Sequence, residues 1–295
     1  MNDSLNSEHS LLGRQVEYPK VYSPSVLVAV PRQINRLLYD IDDQNLPFSG
    51  YDIWHAYEAG FLTDNGLPVS GVLKIAYPCH SRSIVESKSL KLYLNSFNME
   101  RLGNTVGHGI KKFVSTIKDD LQKLLDTTVE LNFFQSAKNS VDLFEEYTIL
   151  ENIPDVNNIQ FEHFNESPGL LKVEAKIKAF ELKIGTHLLR SNCKVTHQPD
   201  WGSAFIHMKG TKKPDILSIL QYIVSLRNEN HFHEEICEML FIRLLGKFSP
   251  DDLTVSCIYT RRGGIDICPV RSTNVNNIPT PLKEPDILSA KLLRQ

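Results

Sequence analysis

Across the first seventy residues short apolar pieces alternate with turn formers, Pro47, Gly50, Gly60 and the run Asn65-Gly66-Leu67-Pro68 among them, which predicts an irregular leader wrapped on a first core. From Gly71 the pattern sharpens. GVLKIAYP and SLKLYLNSF place apolar residues at every second position, the period of strands that cover a core with one face. Over 105–125 the step lengthens: Val106, Ile110, Phe113, Val114, Ile117 and Leu121 recur at intervals of three and four, with Lys111, Lys112, Lys118 and Asp119 left to water, and a helix follows from that spacing. TVELNFF then returns to strand spacing.

Residues 136–168 are rich in Asn, Ser, acidic residues and turn formers and read as a connection between two halves. The second half repeats the grammar of the first. KVEAKIKAFELKI, THLLRSNCKV and SAFIHMKG read as strands, Pro214 and Asp215 open a helix, and a second helix over 232–245 is stopped by Gly246 as its cap. LTVSCIYT and IDICPV flank Arg261-Arg262-Gly263-Gly264, a hairpin signal with glycines placed for positive φ. In PCHSRSIVESKSLKLYL and NCKVTHQPDWGSAFIHM a cysteine, Cys79 or Cys193, precedes an acid, Glu86 or Asp200, by the same interval, and Ser89 or Ser203 then opens the next strand. This suggests duplication, with two related α+β units at 1–150 and 151–295.

Composition narrows the class of function. With 295 residues, 41% hydrophobic and 23% charged, the chain is an ordinary globular protein with ample core. A net charge of -3 argues against a large basic surface and hence against tight nucleic-acid binding, while leaving a free base or nucleotide open. The acidic, polar start MNDSLNSEHSLLGRQVEYPK is unlike a secretory signal, and the apolar run at 26–30, closed by Pro31, is too short to span a bilayer. Five scattered cysteines without CxxC spacing fit free thiols in a reducing compartment, so a cytoplasmic location is expected.

Four clusters carry candidate chemistry. In 191–202 a loop after a strand holds Cys193, Lys194, His197, Asp200 and Trp201: a thiolate stabilised by Lys194 and His197 with a carboxylic acid to move protons, or the commoner case of a small buried cysteine with no chemistry. In 230–235 Glu234 and Glu235 suit a helix N-terminus, and His233 with Cys237 one turn on has metal-ligand spacing that Cys193 would complete, at the expense of Cys193 as a nucleophile. Around Glu86, Lys88 and Lys91 fit an edge strand guarded by charge. Arg261-Arg262-Gly263-Gly264 suits a phosphate or a plain basic turn, and no GxGxxG or P-loop motif is present.

Together these clusters resemble one family, the NADPH-dependent 7-cyano-7-deazaguanine reductases of queuosine biosynthesis in tRNA modification. ESKSLKLYLNSFN at 86–98, SNCKVTHQPDWGS at 191–203, FHEE at 232–235 and YTRRGGIDICP at 259–269 follow the family order, and VPRQINR and GYDIWHAYE resemble the leader of its longer, two-unit members. The resemblance implies tandem tunnelling-fold units related to GTP cyclohydrolase I, each an antiparallel sheet with helices on one face, assembled as a homodimer. It implies Cys193 as the nucleophile that forms a thioimide with the nitrile and Asp200 as the proton donor to nitrogen. Glu86 and Glu234 would take the N–H groups of the guanine-like ring beside His233, with Phe232 as an apolar face and Val85 and Ser87 completing the pocket. NADPH would meet Ser87, Lys88, Arg262 and Gly263, Arg262 suiting the 2′-phosphate, and Cys79 would have no catalytic part. The rival expectations are a zinc-dependent cyclohydrolase-like enzyme using Cys193, His233 and Cys237, and a non-catalytic purine-binding module keeping Glu86 and Glu234.

Overall fold

The computed structural model describes residues 19–136 and 141–295; the polar start of the chain and 137–140 of the connection lie outside them. In chain order the elements are β1 Ala29–Pro31, α1 Gln33–Leu38, β2 Ser49–Leu62, β3 Pro68–Pro78, β4 Ser83–Val85, α2 Ser87–Asn95, α3 Val106–Leu125, β5 Glu130–Phe134 and β6 Thr148–Ile149. The second half adds β7 Val173–Cys193, β8 Pro199–Pro214, α4 Ile216–Ser225, β9 Asn230–His231, α5 His233–Phe248, β10 Asp252–Tyr259, β11 Ile265–Ser272 and α6 Thr280–Lys283. The fold is α+β. One sheet runs β5-β3-β2-β11-β10-β8-β7-β6, antiparallel except where β6 and β9 join β7 in parallel.

The two halves meet where β2 pairs with β11, Trp54 opposite Ile267 and His55 opposite Asp266. Alternate residues of each strand feed opposite faces. On one face Trp54, Leu73 and Ile75 pack with α2 and α3, and Ile206, Met208 and Val255 pack with α4 and α5. On the other, Ile53, Phe205 and Val270 pack under Phe144, Ile278 and Leu282 from the connection and the C-terminal segment. Helix α3 shows how the pattern becomes stability. Phe113, Ile117 and Leu121 sit one turn apart and are fully buried, each contributing about 1.5–3 kcal/mol, and Thr105 caps the first turn by accepting from His108 N at 3.2 Å.

Several expectations change. The leader contains β2, the longest strand of the first half, and its GYDIWHAYE run is central to the sheet. SLKLYLNSF is helix α2, not a strand, because Leu90, Tyr93, Leu94 and Phe97 form one buried face at helical spacing. The charge-guarded edge strand at Lys88 and Lys91 goes with it. KVEAKIKAFELKI and THLLRSNCKV are one bulged strand, β7. Gly246 lies inside α5, which ends at Ser249 in a left-handed conformation, φ 47°. The hairpin glycines stand as expected, with Gly263 at φ 58° and Gly264 at φ 79°.

The matched cysteines are not positional equivalents. Cys79 follows β3 and leads through the short β4 to α2, whereas Cys193 ends β7 and leads to β8, and Ser89 lies in α2. The acid that corresponds to Glu86 is Asp215: Glu86 comes after β2, β3 and the short β4, Asp215 after β7 and β8, and each caps the next helix by accepting two backbone amides. From β2 to β5 and from β7 to β10 the order is strand, strand, helix, helix, strand once the short β4 and β9 are set aside. No helix among the described residues is long and apolar enough to cross a membrane.

Candidate active site

A cavity of about 220 Å³ opens between the start of α5, the start of α2, the end of β7 and the β10–β11 hairpin. Its lining includes Val85, Ser87, Lys88, Cys193, Asp200, Phe232, His233, Glu234, Arg262 and Gly263, all singled out from the sequence. These residues come from four separate stretches of chain, which a sequence motif alone does not bring together.

Cys193 is fixed by backbone. Its N–H donates to Gln198 O at 2.8 Å, its carbonyl accepts from His197 N at 2.9 Å, and its strand end pairs in parallel with His231, which ties the thiol to the residues that open α5. The closing turn places His197 at φ 54°. The cations nearest in sequence are spent elsewhere: Lys194 Nζ lies 3.0 Å from Glu235 and over the Phe232 ring, and His197 Nδ1 meets Asn230 Oδ1 at 2.8 Å. The charge that does reach the Cys193 side chain is Arg262.

Asp200 is almost wholly buried beside it. His233 Nε2 lies 3.3 Å from Oδ2 and the Arg262 guanidinium pairs with Oδ1, while a second Arg262 nitrogen donates to Gln198 Oε1 at 2.7 Å. Burial pushes the Asp200 carboxyl up, but the hydrogen bond from His233 and the charges of His233 and Arg262 outweigh it and hold it below the usual carboxylate range. The His233 ring is held in turn by stacking on Tyr259, centroids 3.8 Å apart and 15° from parallel.

Glu234 has the opposite character. It is 2% exposed, its Oε1 has no hydrogen-bond partner, and burial together with the Asp52 charge pushes it up to about 8. Behind it lies a buried ionic network: Arg32 and Arg271 on Asp52, Arg36 and Arg271 on Glu238 at 2.7 and 2.9 Å. Arg32 and Arg36 belong to VPRQINR, so that part of the leader supports the floor of the site. An unpaired carboxyl oxygen at a cavity wall suits the N–H groups of a flat heterocycle.

Glu86 departs from expectation. It does not line the cavity; its carboxylate is fully buried and caps α2, Oε1 accepting from Lys88 N at 3.3 Å and Oε2 from Ser89 N at 2.7 Å. It thereby fixes the start of α2, and with it Ser87 and Lys88. The zinc expectation fails on geometry. Cys237 points into the core, its thiol within donating reach of either Val255 O or Pro269 O, and Cys193, His233 and Cys237 do not form a donor cluster. Among the described residues the donor atoms that do converge are those of His55, Asp266 and Cys268, where His55 Nδ1 and Asp266 Oδ1 are already bonded at 2.6 Å.

No sequence signal marks Trp54, Ile265 or Ile267, which form the apolar wall, as site residues; the charge pattern makes Lys91 only the guard of an edge strand, and His231, though within the 230–235 run, is given no part in the site. His231 lies within reach of Tyr39 Oη at 3.1 Å and Glu235 at 3.2 Å. Its nearness to Cys193 comes from the pairing of β9 with the end of β7, and the place of Trp54 from β2, neither of which the sequence shows locally. The mouth fits an anionic dinucleotide: Lys88, Lys91 and Arg262 ring it, and a Cβ on Gly263 would come 3.0 Å from Lys91 Nζ, so glycine keeps that approach open.

Thiol, carboxylate and imidazole around one cavity, with cations at its mouth, are the equipment of an enzyme acting on a small molecule. Residues 18–133 match the family described as nitrile reductase, 7-cyano-7-deazaguanine-reductase N-term, and 199–277 match QueF-like protein. The chain is 40% identical over 268 residues to a NADPH-dependent 7-cyano-7-deazaguanine reductase of Coxiella burnetii, covering 90% of this chain and 92% of that one. Relatives of the same description from Chromohalobacter salexigens and Acinetobacter baumannii are 38% and 37% identical, covering 94% and 95% of this chain and 96% and 98% of theirs. The chain belongs to the NADPH-dependent 7-cyano-7-deazaguanine reductase family. Among solved structures, the apo archaeosine synthase QueF-Like overlaps 34% of this chain and 99% of its own at 17% identity and a TM-score of 0.30, too little to bear on the fold.

Proposed function

We propose that this chain reduces the nitrile of 7-cyano-7-deazaguanine to the primary amine, giving 7-aminomethyl-7-deazaguanine for queuosine biosynthesis, with NADPH as reductant. The observation that carries it is the convergence of Cys193, Asp200, His233 and Arg262 on one cavity that also holds the unpaired carboxyl of Glu234.

A nitrile carbon accepts hydride poorly until it is made imine-like, which addition of sulfur achieves. The Cys193 thiol passes its proton to ionised Asp200 under the field of Arg262. Sulfur then bonds to the nitrile carbon, one carbon–nitrogen π pair moves onto nitrogen, and Asp200 returns the proton there, leaving a thioimide. NADPH, when bound, supplies the two hydrides that the four-electron reduction requires. Two further protons enter from solvent, and the carbon–sulfur bond breaks with its electron pair on sulfur, regenerating Cys193. Glu234 takes the ring N–H groups, His233 orients Asp200, Phe232 covers a ring face, and Val85 and Ser87 close the pocket. Ser87, Lys88, Arg262 and Gly263 hold the cofactor.

The repeated element order favours two tunnelling-fold units, 1–150 and 151–295, with the site between them. A homodimer in the cytoplasm completes the reading, and free cysteines agree with that compartment. With 7-cyano-7-deazaguanine and NADPH the protein should consume two NADPH per amine formed. Folded protein that binds the ring without consuming NADPH would favour the purine-binding module instead.

A further inference from the structure

A second and much smaller cavity, about 10 Å³, has Asn35, Ile84, Glu234, Glu235 and Glu238 among its walls. Ile84 and Glu234 line the main cavity as well, so Glu234 stands between the two. The space is close to what one water needs. Asn35 belongs to α1 and is 1% exposed, yet neither its Nδ2 nor its Oδ1 has a hydrogen-bond partner among the described residues. Burial without a partner is costly for an amide, so both atoms call for a polar group in that space. The next residue, Arg36, pins the helix by donating to Glu238 at 2.9 and 2.7 Å and to Cys79 O at 2.7 Å, which holds Asn35 against the cavity.

The three carboxyl groups on this small cavity are not equivalent. Glu235 takes Lys194 Nζ and Phe232 N, each at 3.0 Å, and Glu238 takes Arg36 and Arg271. Glu234 is the one left with an oxygen, Oε1, that lacks a partner among the described residues. Two incompletely bonded groups thus share a space about one water wide. An amide both donates and accepts, and so does water, so a single water between them serves the Glu234 carboxyl whether it holds its proton or has given it up. We infer that Asn35 is a positioning residue for substrate recognition: through one water held in this cavity it fixes the plane of the Glu234 carboxyl that receives the N–H groups of the ring. The inference rests on the ring contact proposed above for Glu234 and adds the residue that aims it. Cys193, Asp200 and Arg262 do not line the small cavity, so the steps after binding do not depend on it.

Steady-state turnover of the full chain with 7-cyano-7-deazaguanine and NADPH tests this. In Asn35→Leu, which keeps the size and removes the polar atoms, KM for the base should rise about tenfold while kcat and KM for NADPH stay within about twofold. Asn35→Ser, which keeps a hydroxyl at the cavity, should recover most of that loss. A fault in α1 alone would loosen Arg32 and Arg36 with it and spread over all three constants; that pattern, or an unchanged KM for the base, would overturn the inference. A crystal of the unaltered protein should show a water within about 3.2 Å of both an Asn35 side-chain atom and a Glu234 carboxyl oxygen, a result that stands even if Asn35→Leu does not fold. A dry cavity there would overturn it too. Turnover by the unaltered protein with the base KM unmoved in Asn35→Leu fails this inference alone; no turnover by the unaltered protein fails the reading beneath it and this inference together.

Discussion

The guanidinium of Arg262 closes on the carboxylate of Asp200 and reaches the side chain of Cys193 as well, so one cation serves both partners of the proton transfer. With Asp200 held below the ordinary carboxylate range, its ionised form is present throughout the neutral range and is lost only as pH falls through the lowered value. Removing the cation takes away one of the two partners that oppose burial, while His233 remains. In Arg262→Gln the acid limb of thioimide formation should move to higher pH by about one unit. A limb that stays in place in the pH–rate profile would contradict the pairing.

Glu234 behaves in the reverse sense. Its carboxyl is pushed up to about 8, so the folded protein keeps a proton that the unfolded chain releases near 4.5. Stability therefore falls as pH rises between those values, by about 1.4 kcal/mol per unit at most. Melting curves should show Glu234→Gln gaining on the unaltered protein from pH 5 to pH 8. A constant difference would mean that Glu234 is ionised in the fold.

Glu238 faces Arg36 and Arg271 in the buried network, all three almost without exposure. Taking away the anion leaves cations in a place that water does not reach. Glu238→Gln should cost about 3–5 kcal/mol in urea unfolding. A loss below about 1 kcal/mol would show the network to be solvated.

Glu86→Asp separates capping from ring contact. Aspartate caps helices well, so stability should hold within about 0.5 kcal/mol and ring affinity should be kept. Retained stability with a tenfold loss of ring affinity, read by calorimetry, would return Glu86 to the pocket wall.

Local signals in the sequence were sufficient for α3, β5 and the Gly263-Gly264 hairpin, because spacing and turn chemistry act over a few residues. They misled at SLKLYLNSF, where Leu90, Leu92 and Leu94 alternate like a strand while Leu90, Tyr93, Leu94 and Phe97 mark a helix; the capping acid just before Ser87 decides it. The polar side of the cavity was legible, chiefly through the resemblance carried by the runs around Cys193, Asp200 and FHEE, whereas its apolar wall of Trp54, Ile265 and Ile267 was not. The cation acting on Cys193 was not: Lys194 is adjacent in sequence, yet pairing with Glu235 turns it away and the hairpin brings Arg262 in its place. Likewise the charges of Arg36 and Glu238 meet across 202 residues of chain, a distance that no periodicity spans.

The claim on which all of this turns is a carbon–sulfur bond at Cys193. Intact-protein mass spectrometry after mixing with 7-cyano-7-deazaguanine, without NADPH, should show one added ligand mass, placed at Cys193 by peptide mapping, kept in Cys79→Ala and absent in Cys193→Ala. An adduct elsewhere, or none from protein that still turns over, would contradict it.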